Sequence, residues 1–341
     1  MAGAASTSLL EPELLEQIKG LSLVARRVVE GVLHGLHRSP LHGLSIEFVQ
    51  HREYSPGDEL KHLDWRVLGR SDRYVIKQYQ EETNLRAMIL LDCSRSMAYG
   101  GRGGTAGDEP AAGDDSGGDE SGGDEPAGGD ESDADGKIRY ARVLAAALSY
   151  LMLQQGDSVG LVCTADEIKD QVAPRAAPGH IASICHALLR VEPAGRTDLA
   201  AVMAQLAVRL KRRSLVVVIS DLLDDPDKVL SALGQIHHRG HEVIVFQVLD
   251  PHEVDFGLGL SGRGVTVIRD METGEEFEAE PVLVRDLVRA EVQRFLLRLD
   301  AGARGRGLHL QRCRTDEPVG QVLTRYLHHR LKSWRFKGKV S

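Results

Sequence analysis

The chain has 341 residues, 42 % of them hydrophobic and only 4 % aromatic, which is enough to bury one large core or two smaller ones. Its formal charge of −8 is uneven. Residues 101–136 hold twelve Asp or Glu against one Arg, a local −11 that leaves +3 for everything else, so the folded part has the footprint of neither an acidic protein nor a nucleic-acid binder. Cys93, Cys163, Cys185 and Cys313 stand singly, which fits a reducing cytosol and excludes a disulfide scaffold or a zinc ribbon. The first thirteen residues lack a basic stretch and their apolar run ends at Glu11, unlike a signal peptide. No run approaches 18 uncharged apolar residues, so no stable membrane insertion is expected, and the chain reads as cytoplasmic.

In chain order, residues 1–8 read as a disordered start. Residues 11–36 predict a helix, because Leu14, Leu15, Ile18, Leu21, Ala25, Val28, Val29, Val32 and Leu33 recur at spacings of three and four. Residues 43–54 and 73–79 read as strands, with Pro56-Gly57-Asp58 as a turn. The segment 9–85 is too small for its own core and is expected to pack on the main domain. From residue 86 strands and helices alternate, the pattern of a doubly wound sheet. The predicted elements are strand 86–92, helix 137–155, strand 158–164, helices 179–190 and 198–211, strand 214–220, helix 226–239 and strand 242–249. A hairpin over 264–279, helix 281–301, strand 307–313 and helix 318–331 complete the domain as a 255–330 extension, with a basic tail over 331–341. Residues 101–136 interrupt the core at 86–254. They contain no Ile, Leu, Val or aromatic residue to offset the entropy of ordering, so a disordered acidic insert is expected.

Two apolar runs stop abruptly at aspartates, Ala87 to Asp92 and Leu215 to Ser220-Asp221, as strands buried on both faces do. In open α/β sheets ligands gather at such carboxyl ends, where strand order reverses. Asp92-Cys93-Ser94-Arg95-Ser96 ends the first run, and Gly195-Arg196-Thr197-Asp198 opens a helix between the two. Two carboxylates and three hydroxyls could therefore share one face, a hard oxygen set suited to Mg²⁺ or Mn²⁺ and not to zinc. Taken singly, such Asp and Ser residues cap helices and close turns; five in this order point to a metal site.

Competing chemistries fit less well. A phosphatase built on a strand-end aspartate needs a second carboxylate two residues later, where Ser94 stands. No Gly-x-Ser-x-Gly elbow surrounds the serines, and no phosphate-binding Gly-x-x-x-x-Gly-Lys-Ser/Thr loop is present. The histidine groups His34/His37/His42, His237/His238/His241 and His328/His329 lack companions at ligand spacing and read as surface residues. Tyr54, Pro56, Gly57, Asp58, Asp64, Trp65 and Arg66 suit either an anchored turn or a docking surface. The basic stretch from Arg330 to Lys339, with Trp334 and Phe336, reads as a frayed end.

The Asp-x-Ser-x-Ser, Thr, Asp arrangement resembles the metal-ion-dependent adhesion site of von Willebrand factor A domains. The wider match resembles the bacterial "domain of unknown function 58" family through Ser39-Pro40, Gly43-Leu-Ser45-Ile-Glu47-Phe48, Arg52-Glu53-Tyr54, Pro56-Gly57-Asp58, Asp64-Trp65-Arg66 and Glu81-Glu82-Thr83-Asn84. Tyr140-Ala141, Gly156-Asp157-Ser-Val-Gly160, Ser220-Asp221 and Asp270-Met-Glu272-Thr-Gly274 extend it downstream. The resemblance implies a von Willebrand factor A-like α/β fold, with a mostly parallel sheet between helices. It implies that Ser94, Ser96 and, in the ligand-bound state, Thr197 touch Mg²⁺ directly, while Asp92 and Asp221 hold coordinated waters. A Glu or Asp from a partner protein would fill the remaining position, without covalent chemistry, and the partner suggested is a MoxR-type AAA+ ATPase served by the chain as adaptor or co-chaperone. A metal-dependent hydrolase and a metal-independent scaffold remain the alternative classes.

Overall fold

The computed structural model describes residues 12–38, 50–53, 75–78, 85–100, 136–196, 198–255, 266–269, 276–279 and 281–337. Helix α1 (Pro12–Arg38) comes first, then strands β1 (Gln50–Glu53) and β2 (Val75–Gln78), which pair antiparallel. Next come β3 (Arg86–Asp92), a single 3-10 turn over Arg95–Ala98, α2 (Gly136–Gln154), β4 (Ser158–Thr164) and β5 (Ile168–Arg175). Helices α3 (His180–Arg190) and α4 (Leu199–Arg209) lead to β6 (Leu215–Ser220), α5 (Pro226–His238), β7 (Glu242–Leu249) and the short α6 (Pro251–Asp255). The antiparallel pair β8 (Thr266–Arg269) and β9 (Glu276–Ala279) precedes α7 (Pro281–Gly305), β10 (His309–Arg314) and α8 (Val319–Lys337).

Six strands form the central sheet in the order β10-β7-β6-β3-β4-β5, all parallel except β5, which runs antiparallel to β4. Side chains alternate across a strand, so each apolar run serves two cores. Ala87, Ile89 and Leu91 of β3, with Leu215, Val217 and Ile219 of β6, face a core shared with α1, α2, α3 and α8. Met88 and Leu90, with Val216 and Val218, face a second core built with α4, α5 and α7. Burial on both faces explains why these strands read as continuous apolar runs, each large side chain contributing about 1.5–3 kcal/mol. Helix α1 presents Ile18, Ala25, Val29 and Val32 to the first core, so this N-terminal helix is part of the main body.

Several local features differ from the sequence expectations. Strand β5 was not expected; its alternation is half-buried against exposed, and Pro174 restricts it to an edge, where it lies over Gly160 of β4. Helix α8 continues to Lys337, past the expected end at 331. His241 is buried instead of exposed, because its Nδ1 accepts a hydrogen bond from the Ser214 amide at the start of β6. His237, His238, His328 and His329 remain half-buried or exposed. The first histidine group, the Pro56 turn, the Trp65 motif and the acidic stretch 101–135 lie outside the described residues, apart from His34 and His37, whose backbone belongs to α1.

The stem of that acidic stretch is described. The Lys137 amide donates to the Tyr99 carbonyl at 2.9 Å, so the chain leaves and re-enters the fold at one point. Gly136 makes the closure possible with φ +47°, and a Cβ there would lie 2.1 Å from the Tyr99 oxygen. Gly136→Ala should therefore cost about 1–3 kcal/mol, from left-handed backbone strain together with the displaced stem. Chemical denaturation of the variant checks this; a midpoint equal to wild type would refute the pinched stem.

Candidate metal centre

The strand order reverses between β3 and β6. From β3 the chain proceeds outward through β4 and β5, then returns to the other side of β3 with β6, β7 and β10. Asp92 ends β3 and Asp221 comes directly after β6, so both carboxylates stand at the carboxyl-end crevice of this switch point. Asp92, Ser94 and Asp221 are fully buried, and Ser96 keeps 8 % exposure.

Backbone geometry fixes each group. The Ser94 amide donates to Asp92 Oδ1 at 2.9 Å, and the Ser220 hydroxyl donates to Asp92 Oδ2 at 2.6 Å. The hydroxyls of Ser94 and Ser96 lie 3.0 Å apart, brought together by the 3-10 turn. On the neighbouring strand Leu222 adopts φ +58°, a costly conformation for a bulky residue. Its amide donates to Ser220 Oγ and the Leu223 amide to Asp221 Oδ1, so the strained turn locks both polar side chains. Gln247 Nε2 donates to the Asp221 carbonyl from β7.

Thr197 lies outside the described residues, but its surroundings are tied to the site. The Arg95 amide donates to the Gly195 carbonyl, and the Ala194 amide to the Cys93 carbonyl. Asp198 caps α4 by accepting from the Ala201 amide at 3.0 Å. The structure thus places Asp92, Ser94, Ser96 and Asp221 at one end of the sheet, with Ala194 and Gly195 hydrogen-bonded beside them.

Two participants were not read from the sequence. Ser220 bridges to Asp92, and Lys137, fully buried in the first turn of α2, donates to Asp221 Oδ2 at 2.7 Å and to Glu253 Oε1 at 2.6 Å. The only sequence signal for Lys137 is a lone cation between the acidic stretch and an apolar helix face, which reads more simply as a solvated flank.

Burial, and then the neighbouring charge of Asp221, push the Asp92 carboxyl up to about 7; hydrogen bonds from Ser220 and Ser94 only partly offset this. Burial pulls Lys137 down, but Asp221 and Glu253 outweigh it and hold the ammonium above its ordinary value. Burial also raises Glu253, with Lys137 opposing. Mutually repelling buried carboxylates beside paired hydroxyls are a donor set that a hard cation would relieve. Among the described residues no three His, Cys, Asp or Glu converge to hold a metal, so the donor chemistry here is two carboxylates plus hydroxyls, which fits Mg²⁺ or Mn²⁺ and not zinc.

A polar depression of about 630 Å³ opens beside the site. Its acids are engaged: Asp166 with Lys169, Asp198 as the α4 cap, and Asp224 with the Asp225 amide. Its cations Arg95, Arg196 and Lys228 make no ion pair among the described residues.

A six-stranded sheet in this order, with polar side chains gathered at its switch point, defines a von Willebrand factor A-like α/β domain. The chain belongs to the family described as "Protein of unknown function DUF58", whose profile matches residues 50–109 and 129–298. Uncharacterised proteins of Mycobacterium tuberculosis strain H37Rv and Mycobacterium bovis are each 29 % identical over 331 residues, covering 94 % of this chain and 90 % of theirs. Among solved structures, BatB from Bacteroides thetaiotaomicron aligns with 73 % of this chain and 99 % of its own at 11 % identity and a TM-score of 0.41. The SpRpn10 VWA domain aligns with 70 % of this chain and 93 % of its own at 12 % identity and a TM-score of 0.36. No described helix is long and apolar enough to cross a membrane.

Proposed function

We propose that this chain is a non-enzymatic, Mg²⁺- or Mn²⁺-dependent protein-binding adaptor. The observation that carries the reading is the convergence of Asp92, Ser94, Ser96 and Asp221 at the sheet's switch point, an all-oxygen set with two buried carboxylates. Ser94, Ser96 and Thr197 would hold the ion directly and Asp92 and Asp221 through its waters, the ion supplying a Lewis-acid position for an incoming carboxylate. Ser96, the one described member of the set with residual exposure, marks the side of approach. Arg95, Arg196 and Lys228 around the neighbouring depression favour a partner segment rich in Asp or Glu. The non-catalytic reading is supported by the serine hydroxyls, which pair with each other and with Asp92 and with no histidine among the described residues. The family resemblance makes a MoxR-type AAA+ ATPase the candidate partner, with this chain as co-chaperone in the cytoplasm.

Co-purification with and without chelator, combined with mass spectrometry, tests the reading. Partner capture should require Mg²⁺ and fall at least about ten-fold in Thr197→Ala and Asp92→Ala, the loss expected when a charge-assisted contact at the binding centre is removed. Circular dichroism establishes that the variants fold. Capture that persists in chelator and in both variants would overturn the adhesion-site reading in favour of a metal-independent scaffold.

A further inference from the structure

We infer that Lys137 is the resident counter-ion of the proposed metal centre and sets how tightly that centre takes a divalent cation. The inference deepens the metal-binding reading above and rests on it. Lysine is almost never fully buried unless paired, and here the whole side chain is inside, reached from the first turn of α2. Its Nζ donates to Asp221 Oδ2 at 2.7 Å and to Glu253 Oε1 at 2.6 Å, and stands 5.9 Å from the centroid of the Tyr99 ring. Glu253 is itself positioned, because its Oε2 accepts from the Asp250 amide at 2.9 Å. The ammonium therefore sits in a prepared seat between an acid of the proposed centre and an acid outside it.

Charge decides what that seat does. Without Lys137, the buried carboxylates of Asp92 and Asp221 and the half-buried Glu253 would lose the ammonium that Asp221 and Glu253 share. An ammonium and a divalent ion would relieve the same repulsion, so each reduces the stabilisation the other can supply. The two are negatively coupled, and the coupling is reciprocal. Lys137 lets the fold close without a metal and keeps intrinsic metal affinity low, so that occupancy depends on the further carboxylate a partner brings. It acts as a positioning residue through Asp221 and touches neither partner nor metal in this scheme. Glu253 works in the opposite sense, since its charge offsets part of the ammonium's repulsion toward an incoming ion.

Calorimetric titration of MnCl₂ into the purified 341-residue chain, together with thermal unfolding in chelator and in saturating Mn²⁺, tests this on wild type, Lys137→Met and Glu253→Gln. Lys137→Met should melt lower in chelator, bind Mn²⁺ at least about ten-fold more tightly, and gain more from the metal than wild type does, as expected when a unit positive charge is removed within several ångströms of a divalent ion. Glu253→Gln should bind Mn²⁺ several-fold more weakly. If Lys137→Met does not fold in chelator, the Glu253→Gln affinity alone decides. A merely structural ion pair would lower stability in both variants and leave Mn²⁺ affinity at the wild-type value, which would overturn the inference. Failure of folded wild type and of both variants to bind Mn²⁺ at all would instead remove the metal-binding reading, and this inference with it.

Discussion

Asp221→Ala should lower the melting temperature by roughly 4 °C, corresponding to about 3 kcal/mol for a protein of 341 residues. The substitution deletes the acceptor of the Lys137 ammonium and of the Leu223 amide, and it leaves a void between β6 and α2. Removing one partner of a buried ion pair costs about 3–5 kcal/mol because the other charge stays behind. Two effects hold the loss to the low end. Lys137 keeps Glu253 as a second acceptor, and Asp92 is freed from a repelling neighbour. Asp198→Ala provides the contrast: it removes an exposed helix cap and should cost only about 1 kcal/mol. Equal melting temperatures for these two variants would mean that Asp221 is not the electrostatic anchor described here. Asp221→Asn, which preserves shape and an acceptor for Leu223, should fall between wild type and Asp221→Ala.

The difference between these two aspartates illustrates what the sequence could and could not convey. Asp92, Ser94, Ser96 and Asp221 were legible because buried parallel strands leave uninterrupted apolar runs, and the polar residues that end them mark the sheet's carboxyl edge. The two-core arrangement of β3 and β6 and the apolar stripe of α1 were legible for the same reason, since period and burial are local properties of the chain. Pairing across the fold is not local. Lys137 meets Asp221 across 84 residues and Glu253 across 116, and nothing in the neighbourhood of any of them signals the others. Ser220 reaches Asp92 across 128 residues, and beside Asp221 it reads only as part of a strand end. Strand β5 escaped because an edge strand needs few apolar residues, and Ile168-Lys-Asp-Gln-Val-Ala-Pro-Arg175 carries a proline that argues against a strand. His241 escaped because a Gly-His step before a strand resembles an exposed turn, while its burial depends on the Ser214 amide from another strand.

In chelator, the stability of the wild-type protein relative to Asp92→Asn should fall as pH rises from about 4 to about 7. Burial and the charge of Asp221 push the Asp92 carboxyl up to about 7, against about 3.9 in an unfolded chain. Below the unfolded value both states hold the proton and the group's full contribution to stability is present. Above it the unfolded chain gives up its proton first, the folded state binds more protons, and stability declines until the folded carboxyl titrates near 7. The raised carboxyl therefore makes the folded state less favoured at neutral pH than at acid pH. His241 and His309 work against it, because burial lowers both, so their contributions are lost as pH falls below the ordinary histidine range. Their opposition is why the comparison is made with Asp92→Asn, which retains both histidines and cancels their effect. Millimolar Mg²⁺ should flatten the wild-type curve at the alkaline end and leave Asp92→Asn nearly unchanged, since a cation favours the ionised carboxylate and its binding releases the proton. Thermal unfolding across this pH range, with chelator and with Mg²⁺, reads both effects. Parallel wild-type and Asp92→Asn curves in chelator would show that Asp92 is ionised without penalty, and the electrostatic case for a cation at the strand ends would lose its basis.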